Sequence, residues 1–199
     1  QVLQTGGTGA NPSWGTVSSD FVKINTTNIS NGAGTVYLDS IFTSDYNTYK
    51  IIMTQIKGHD STNGTPYIKF RTGNANASGS YWRVNTAGWR TSSANNGSDE
   101  GAWGASFIDF GGWNAPDTDT ESGNAIYDFE MTFFGINGSN YKQMFWKMFG
   151  WEQGNTYPIC TNGAALLNNT GTVDGFFLSR SNGGGFSSDG QIVVYGMKH

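Results

Sequence analysis

The fold of this chain is decided by residues 125–152, which read AIYDFEMTFFGINGSNYKQMFWKMFGWE. Apolar and polar residues alternate in both halves of this stretch, and a period of two is the pattern of half-buried β-strands. The dipeptide Asn137-Gly138 stands between the halves and suits the positive φ angles of a type I′ hairpin turn. The stretch therefore predicts an antiparallel hairpin with strands Ala125–Ile136 and Tyr141–Glu152.

The pairing in this hairpin can be predicted from its turn. With Ile136 opposite Ser139, six large apolar residues meet across the two strands and form the buried face of the hairpin. They are Tyr127, Phe129 and Met131, whose expected partners are Met148, Trp146 and Met144, in that order. A four-residue loop would shift every partner by two positions without exchanging the faces.

The opposite face of the hairpin is half aromatic. A face fully exposed to water does not need large aromatic side chains, so we expect a loop, another subunit or a ligand to cover it. Symmetric self-association would bury such a face, and we predict a homotrimer. The predicted interface residues are Phe134, Tyr141, Phe145, Phe149 and Trp151.

The rest of the chain has the composition of an all-β domain. Its 199 residues include 29 Gly, seven Trp, nine Tyr and thirteen Phe, and only 13% are charged, which disfavours both a helical bundle and a disordered chain. Short alternating runs between Gly, Asn, Asp and Ser clusters predict further strands. We predict one antiparallel β-sandwich of jelly-roll type over residues 19–199. Residues 1–18 would be a linker or leader strand that docks through Trp14.

Charge and cysteine content exclude several functions. The net charge is −4 and no Lys/Arg run exists to neutralise phosphates, so we predict no nucleic-acid partner. No apolar run approaches twenty residues, so we predict no membrane partner. Cys160 is the only cysteine and is expected to be a small buried residue. His59 and His199 stand beside no recognisable nucleophile turn.

Two carboxylates on the first strand of the hairpin have the spacing of a catalytic pair. Asp128 and Glu130 are two residues apart and therefore project from one face, a spacing that occurs in sandwich glycosidases. Laminarinase-type enzymes carry E-x-D-x-x-E on such a strand, but Ile126 and Phe133 occupy the two outer positions here. We therefore predict a cross-strand ion pair with Lys147 and no enzymatic activity.

One acidic segment offers ligands for a metal. Asp117, Asp119 and Glu121 alternate along the chain and carry the hard oxygen atoms that Ca²⁺ prefers. An EF-hand would need Gly in place of Ser122, and also flanking helices, which the sequence does not predict. A solvated acidic loop is the alternative. We predict no obligatory cofactor, with Ca²⁺ as the one metal candidate.

The segment Gly73–Gly123 carries four tryptophans among Ser, Asn, Gly and Asp residues. Long loops decorated in this way are usually functional, and indole rings offer flat faces on which sugars stack. The alternative is that these tryptophans seal the open ends of the sandwich. The predicted glycan-binding residues are Trp82, Trp89, Arg90, Trp103 and Trp113.

Three stretches resemble parts of a known class of proteins. They are QVLQTGGTGANPSWGTV at 1–17, YNTYKIIMTQIKGHDSTNGTPYIKFR at 46–71 and DGFFLSRSNGGGFSSDGQIVVYGM at 174–197. The first resembles the V-L-x-T-x-G-x-G-x-x-x-W junction that precedes the distal domains of bacteriophage tail fibres and related virion appendages. The second is similar to their Y-x-x-Y-x-I strand pair, and the third to their closing G-x-I-x-x-Y-G pattern.

The resemblance implies a structural role on the virion surface. It implies a distal tail-fibre or appendage module for host attachment, assembled as a homotrimer with other virion proteins and directed at a host-surface glycan. None of the matching motifs is catalytic. Two alternatives stay open, which are a capsid or tail decoration protein without receptor binding, and a carbohydrate-binding module of a secreted polysaccharide enzyme.

Overall fold

The computed structural model describes residues 2–15, 20–58, 64–90, 95–110, 126–152, 157–181 and 183–197. Over these residues the chain forms fifteen strands and no helix. The strands are β1 (Val2–Gln4), β2 (Ser13–Gly15), β3 (Phe21–Asn28), β4 (Thr35–Leu38), β5 (Thr48–Ile56), β6 (Pro66–Thr72), β7 (Ala75–Asn76), β8 (Tyr81–Arg90), β9 (Asn95–Ala105), β10 (Ile108–Asp109), β11 (Ile126–Phe134), β12 (Lys142–Glu152), β13 (Tyr157–Leu167), β14 (Gly175–Arg180) and β15 (Gln191–Met197).

Two antiparallel sheets form the body of the protein. The larger has eight strands in the order β3-β15-β5-β11-β12-β13-β8-β9, and the smaller has the order β10-β6-β14-β4 with β7 beside β6. Aromatic side chains pack between the sheets, as where Phe133 lies 5.7 Å from Phe176 and 5.4 Å from Phe70 between ring centroids. The all-β antiparallel sandwich is therefore confirmed. The jelly-roll connectivity stays a prediction.

The hairpin of β11 and β12 has the predicted faces but not the predicted register. All six residues expected inside are at most 2% exposed. Phe129 lies opposite Met148 and Met131 opposite Trp146, two positions away from the prediction. Alternation with a period of two determines which face a side chain takes, whereas the length of the loop determines its partner.

The connection between these strands is longer than a two-residue turn. It spans residues 135–141 and is closed by a hydrogen bond of 3.2 Å from Gly138 N–H to the Gly135 carbonyl. Neither Asn137 nor Gly138 has a positive φ, so the predicted type I′ turn is wrong. The side-chain amide of Asn137 instead donates to the backbone carbonyls of Thr43 and Tyr46, and this tertiary contact overrides the local turn preference.

In its described residues, 73–90 and 95–110, the tryptophan-rich segment is mostly sheet rather than long loops. Its strands β8 and β9 have ten and eleven residues and pair with each other, and β13 joins β8 to β12. The sequence does not predict these strands in full, because their many small and polar residues give little apolar–polar alternation. In β13 the small residue is required, because a Cβ at Gly163 would lie 2.1 Å from the Trp146 ring.

The amino-terminal strands pair only with each other. Strands β1 and β2 form a two-stranded antiparallel sheet in which Leu3 lies opposite Trp14. The Trp14 side chain is 69% exposed, so the expectation that it docks onto the sandwich is wrong. The same exposure makes Trp14 a useful reference for other exposed tryptophans of the chain.

Candidate functional site

Most of the predicted site residues lie on one surface. We call it the outer face: the face of the eight-stranded sheet whose side chains alternate with those of the buried core. It carries Trp82 and Trp103 from the predicted glycan site together with the five aromatic residues of the predicted interface. Phe134 is half-buried, whereas Tyr141, Phe145, Phe149 and Trp151 are exposed. The fold thus merges two sites that the sequence treated as separate.

Trp82 and Trp103 form a stacked pair on this face. Their ring centroids are 4.1 Å apart and their planes differ by 10°, while Tyr141 meets Trp82 edge-on at 6.2 Å. Trp103 is 81% exposed. The pairing of β8 with β9 shifts register beside Trp82, and Gly104 in this bulge has φ 74°. Bulges re-aim side chains, and this one accompanies the stacking of two indoles from neighbouring strands.

The tryptophan pair borders a groove of about 440 Å³, which we call the tryptophan groove. Its floor is formed by small and apolar side chains of β13, including Ala164 and Leu166, and Phe145 stands on the side of β12. The amide of Gln143 is one of the few polar groups in the lining. The groove therefore combines flat apolar surface with little hydrogen-bonding capacity.

A second groove of about 410 Å³ lies on the same face, and we call it the polar groove. Four neighbouring strands contribute to it, β5, β11, β12 and β13. Its polar or exposed lining residues are Thr54, Asp128, Glu130, Lys147, Phe149, Cys160 and Asn162. Cys160 is exposed, so the expectation that it is buried is wrong.

The two carboxylates of the polar groove are held by different partners. Glu130 forms its ion pair with Lys50 at 2.9 Å. Among the described residues Lys147 pairs with neither Asp128 nor Glu130, so the predicted cross-strand ion pair is wrong. The register places Lys147 opposite Glu130 rather than opposite Asp128. The hydrogen bond from Lys50 lowers the pKa of Glu130, with a smaller contribution from Lys147. Asp128 accepts the Gln55 backbone N–H at 2.8 Å. A carboxyl held ionised is unsuited to be the proton donor of a glycosidase.

A buried polar cluster supports the tryptophan groove from below. Arg83, the neighbour of Trp82, lies 3.0 Å from an Asp109 oxygen and donates to the Asn85 side-chain oxygen at 2.5 Å. Burial raises the pKa of Asp109 to about 6, with Arg83 opposing that rise and Glu100 adding to it. Asp109 belongs to β10 of the smaller sheet, so the cluster ties β8 to that sheet.

Six of the predicted site residues have side chains outside the described part of the protein. Trp113, Asp117, Asp119 and Glu121 lie outside the described residues, and the side chains of Trp89 and Arg90 are likewise not described, although their backbone belongs to β8. Within the described part of the chain, no three His, Cys, Asp or Glu side chains lie close enough to hold a metal ion. Over the same ranges no helix has the length and apolar character needed to cross a membrane.

No protein-family model, no curated protein and no solved structure matches this chain. Its function therefore has to be inferred from the chemistry of the outer face together with the sequence resemblance described above.

Proposed function

We propose that this chain is a non-enzymatic attachment module of a phage virion, part of a distal tail fibre or related appendage, and that its outer face binds a host-surface glycan. The observation that carries the binding is the stacked, nearly parallel pair of Trp82 and Trp103 beside an apolar groove. The assignment to a virion rests on the resemblance of residues 1–17, 46–71 and 174–197 to tail-fibre proteins.

The stacked pair suits the apolar face of a sugar ring. One face of the Trp103 indole rests on Trp82, and its 81% exposure leaves the other face open to a ligand. The mutual stacking fixes both rings before binding, which reduces the entropy lost when a ligand is ordered against them. The neighbouring Arg83 is already paired with Asp109, so charge contributes little here and the expected glycan is neutral.

A second copy of the chain is the competing occupant of the outer face. The exposed aromatic residues of the hairpin favour it, and the homotrimer stays a prediction on that ground. Against it, Lys50, Asp128, Glu130 and Lys147 lie in the middle of this face. The cores of protein interfaces are depleted of Lys, Asp and Glu, whereas carbohydrate sites use such groups to bind hydroxyls.

The binding proposal is tested with Trp103→Ala on an array of neutral bacterial surface polysaccharides. Losing the stacking face should weaken binding of the retained polysaccharide by roughly 1–3 kcal/mol, with little dependence on salt. Trp14→Ala is the matched control, because Trp14 is also exposed but belongs to the separate two-stranded sheet. A folded Trp103→Ala variant that binds as well as the Trp14→Ala control would overturn the proposal.

The competing occupant is tested by the mass of the protein in solution. Suppose that Phe145→Ala and Phe149→Ala convert a trimer into monomers while Trp103→Ala leaves polysaccharide binding unchanged. The outer face is then an interface, and the decoration protein replaces the attachment module as the best interpretation. A mass that is unchanged in both variants supports a face left open to ligand.

The virion assignment has its own test. Antibody-labelled imaging of intact particles should place the chain at the distal end of a fibre or appendage. Labelling along the capsid or tail instead would support the decoration protein. Recovery of the chain joined to a catalytic domain in a secreted enzyme would support the carbohydrate-binding module.

A further inference from the structure

The tryptophan groove and the polar groove are neighbours along β12 and β13. Phe145 and Ala164 lie opposite each other in the first groove, and the next outward-facing pair, Lys147 and Asn162, lies in the second. The outward positions from Leu166 to Cys160 span seven residues of β13, or roughly 20 Å at the rise of a strand. The two grooves are therefore adjacent on the same face of the sheet.

The polar groove supplies what the tryptophan groove lacks. Phe149 is 63% exposed and gives a second apolar platform. Around it lie the Asp128 carboxylate, the Lys147 ammonium and the Asn162 amide, one from each of three adjacent strands. Donors and acceptors that converge beside an aromatic ring are the means by which proteins orient hydroxyl-bearing ligands.

These polar groups retain hydrogen-bonding capacity for a ligand. Asp128 is oriented by the Gln55 N–H on one oxygen, and among the described residues no other group bonds to its carboxylate. Asn162 is exposed, and its one hydrogen bond within the described residues is a long contact of 3.7 Å from its amide nitrogen to Cys160 Sγ. Lys147 forms no ion pair with any described residue.

The charges in and beside the polar groove balance. Two carboxylates, Asp128 and Glu130, are matched by two ammonium groups, Lys50 and Lys147. A balanced site attracts neither an acidic nor a basic polymer by long-range charge. Its charged groups serve as directional partners for hydroxyls, and hydrogen bonds to charged groups are stronger than neutral ones.

We propose that the polar groove is a second subsite, so that the outer face binds an extended neutral oligosaccharide rather than a single sugar or chain end. This inference rests on the proposed glycan binding. One part of the oligosaccharide stacks on Trp103. A part further along the oligosaccharide lies over Phe149 and contacts Asp128, Lys147 and Asn162. The ligand is therefore long enough to cover both grooves.

The experiment measures affinity against ligand length. The probe is prepared from the neutral polysaccharide that binds the whole protein chain most strongly on the array. This polysaccharide is hydrolysed and separated by size, and each fragment from the disaccharide upward is titrated into the protein by calorimetry. Affinity should rise with length until both grooves are filled and then level off. Lys147→Ala and Asn162→Ala should each lower the affinity for the longest fragments by roughly 3- to 10-fold, and the affinity for the shortest fragments by less than about twofold. Trp103→Ala should weaken both.

Lys23→Ala is the matched control for Lys147→Ala. Lys23 is exposed and lies opposite Tyr195, an outward position of β15, but contributes to neither groove. It should leave all fragments unaffected. If Trp103→Ala weakens binding but affinity does not depend on length, or Lys147→Ala and Asn162→Ala both match Lys23→Ala, the second subsite is wrong and the proposed function stands. If Trp103→Ala has no effect, both fail.

Discussion

Two adjacent residues of β12 are used in opposite ways by the same sheet. Trp146 is 2% exposed, lies edge-on 5.7 Å from Phe110 and fills the space above Gly163. Phe145 is 57% exposed, and its ring contacts only Phe134 among the described aromatic residues, at 5.1 Å. Both are large and aromatic, so hydrophobicity alone does not determine burial. What differs is whether a second layer of the protein lies opposite the side chain.

The same contrast extends to the polar groups of the sandwich. Between the sheets, Asp109 of the smaller sheet is pushed towards its neutral form by burial, whereas on the outer face Glu130 is held ionised by Lys50. The inner face therefore stabilises the fold, and it tolerates charge only at a cost. The outer face keeps charge and exposed aromatic surface together, a combination that contributes little to folding and suits ligand binding.

The largest expected difference is in the free energy of unfolding of two single variants, in which Trp146 or Phe145 is replaced by alanine. Trp146→Ala should lower the free energy of unfolding by about 3–5 kcal/mol, because it leaves a cavity in the core. Phe145→Ala should lower it by less than about 1 kcal/mol, because the side chain is mostly in water already. Chemical denaturation of the two variants checks this. Equal losses would mean that the outer face is covered by protein and that the contrast is false.

A methyl group added at glycine sharpens the contrast at the level of packing. Gly163→Ala should destabilise by roughly 1–3 kcal/mol, since its Cβ would lie 2.1 Å from the Trp146 ring. Gly88 of β8 is the control, because a Cβ there meets no atom within 4 Å. Gly88→Ala should be neutral or slightly stabilising. Comparable thermal midpoints for the two variants would contradict the position of Trp146.

The smallest expected effect is a difference in how the stability contributed by Asp109 and by Glu130 depends on pH. The pKa of Asp109 is raised to about 6, so its ionised form weakens the folded state above that pH, and its contribution to stability grows as the pH falls from 7 towards 4. Glu130 behaves oppositely: its stabilising contribution is present above its unfolded pKa and is lost as the pH falls through its lowered folded pKa.

Denaturation of Asp109→Asn between pH 4 and 7 tests this sign. The gain in stability on lowering the pH should be reduced relative to the unsubstituted protein, whatever the absolute stability of the variant. The control is Glu130→Gln, which should leave the slope between pH 5 and 7 nearly intact and change it below that range, where the pH falls through the ordinary pKa of a glutamate towards the lowered pKa of Glu130. An identical slope with and without Asp109 would show that its carboxyl titrates normally.

The sequence was sufficient for the all-β class and for the two faces of the central hairpin. Both follow from local properties: Gly, Asn and Ser clusters interrupt the chain, and a period of two sends Phe129 and Met131 to one side and Glu130 and Thr132 to the other. The same pattern could not determine the pairing, because the loop depends on the contact of Asn137 with Thr43 and Tyr46.

The candidate site was predicted residue by residue but not as one surface. The tryptophans and the half-aromatic face of the hairpin could be seen in the sequence, yet the sequence placed Trp82 and Trp103 in a loop-rich segment and Tyr141 and Phe145 at a separate interface. The sequence did not predict the polar groove, apart from placing Asp128 and Glu130 on the same face of their strand. The sequence signal for β13 is weak. Its inward residues Ile159, Thr161, Gly163 and Ala165 alternate with outward ones, but glycine and alanine differ little in hydrophobicity from their polar neighbours.

Only the tertiary structure decided what the alternating faces are for. Side-chain direction is a property of the strand, so the sequence determines it locally. The order of strands in the sheet depends on contacts between residues far apart in the chain, and it alone brings β8 and β9 beside β13 and β12. That order places Trp103 and Phe145 around one groove. It also leaves the outer face without a covering layer among the described strands, because the smaller sheet packs against the inner face.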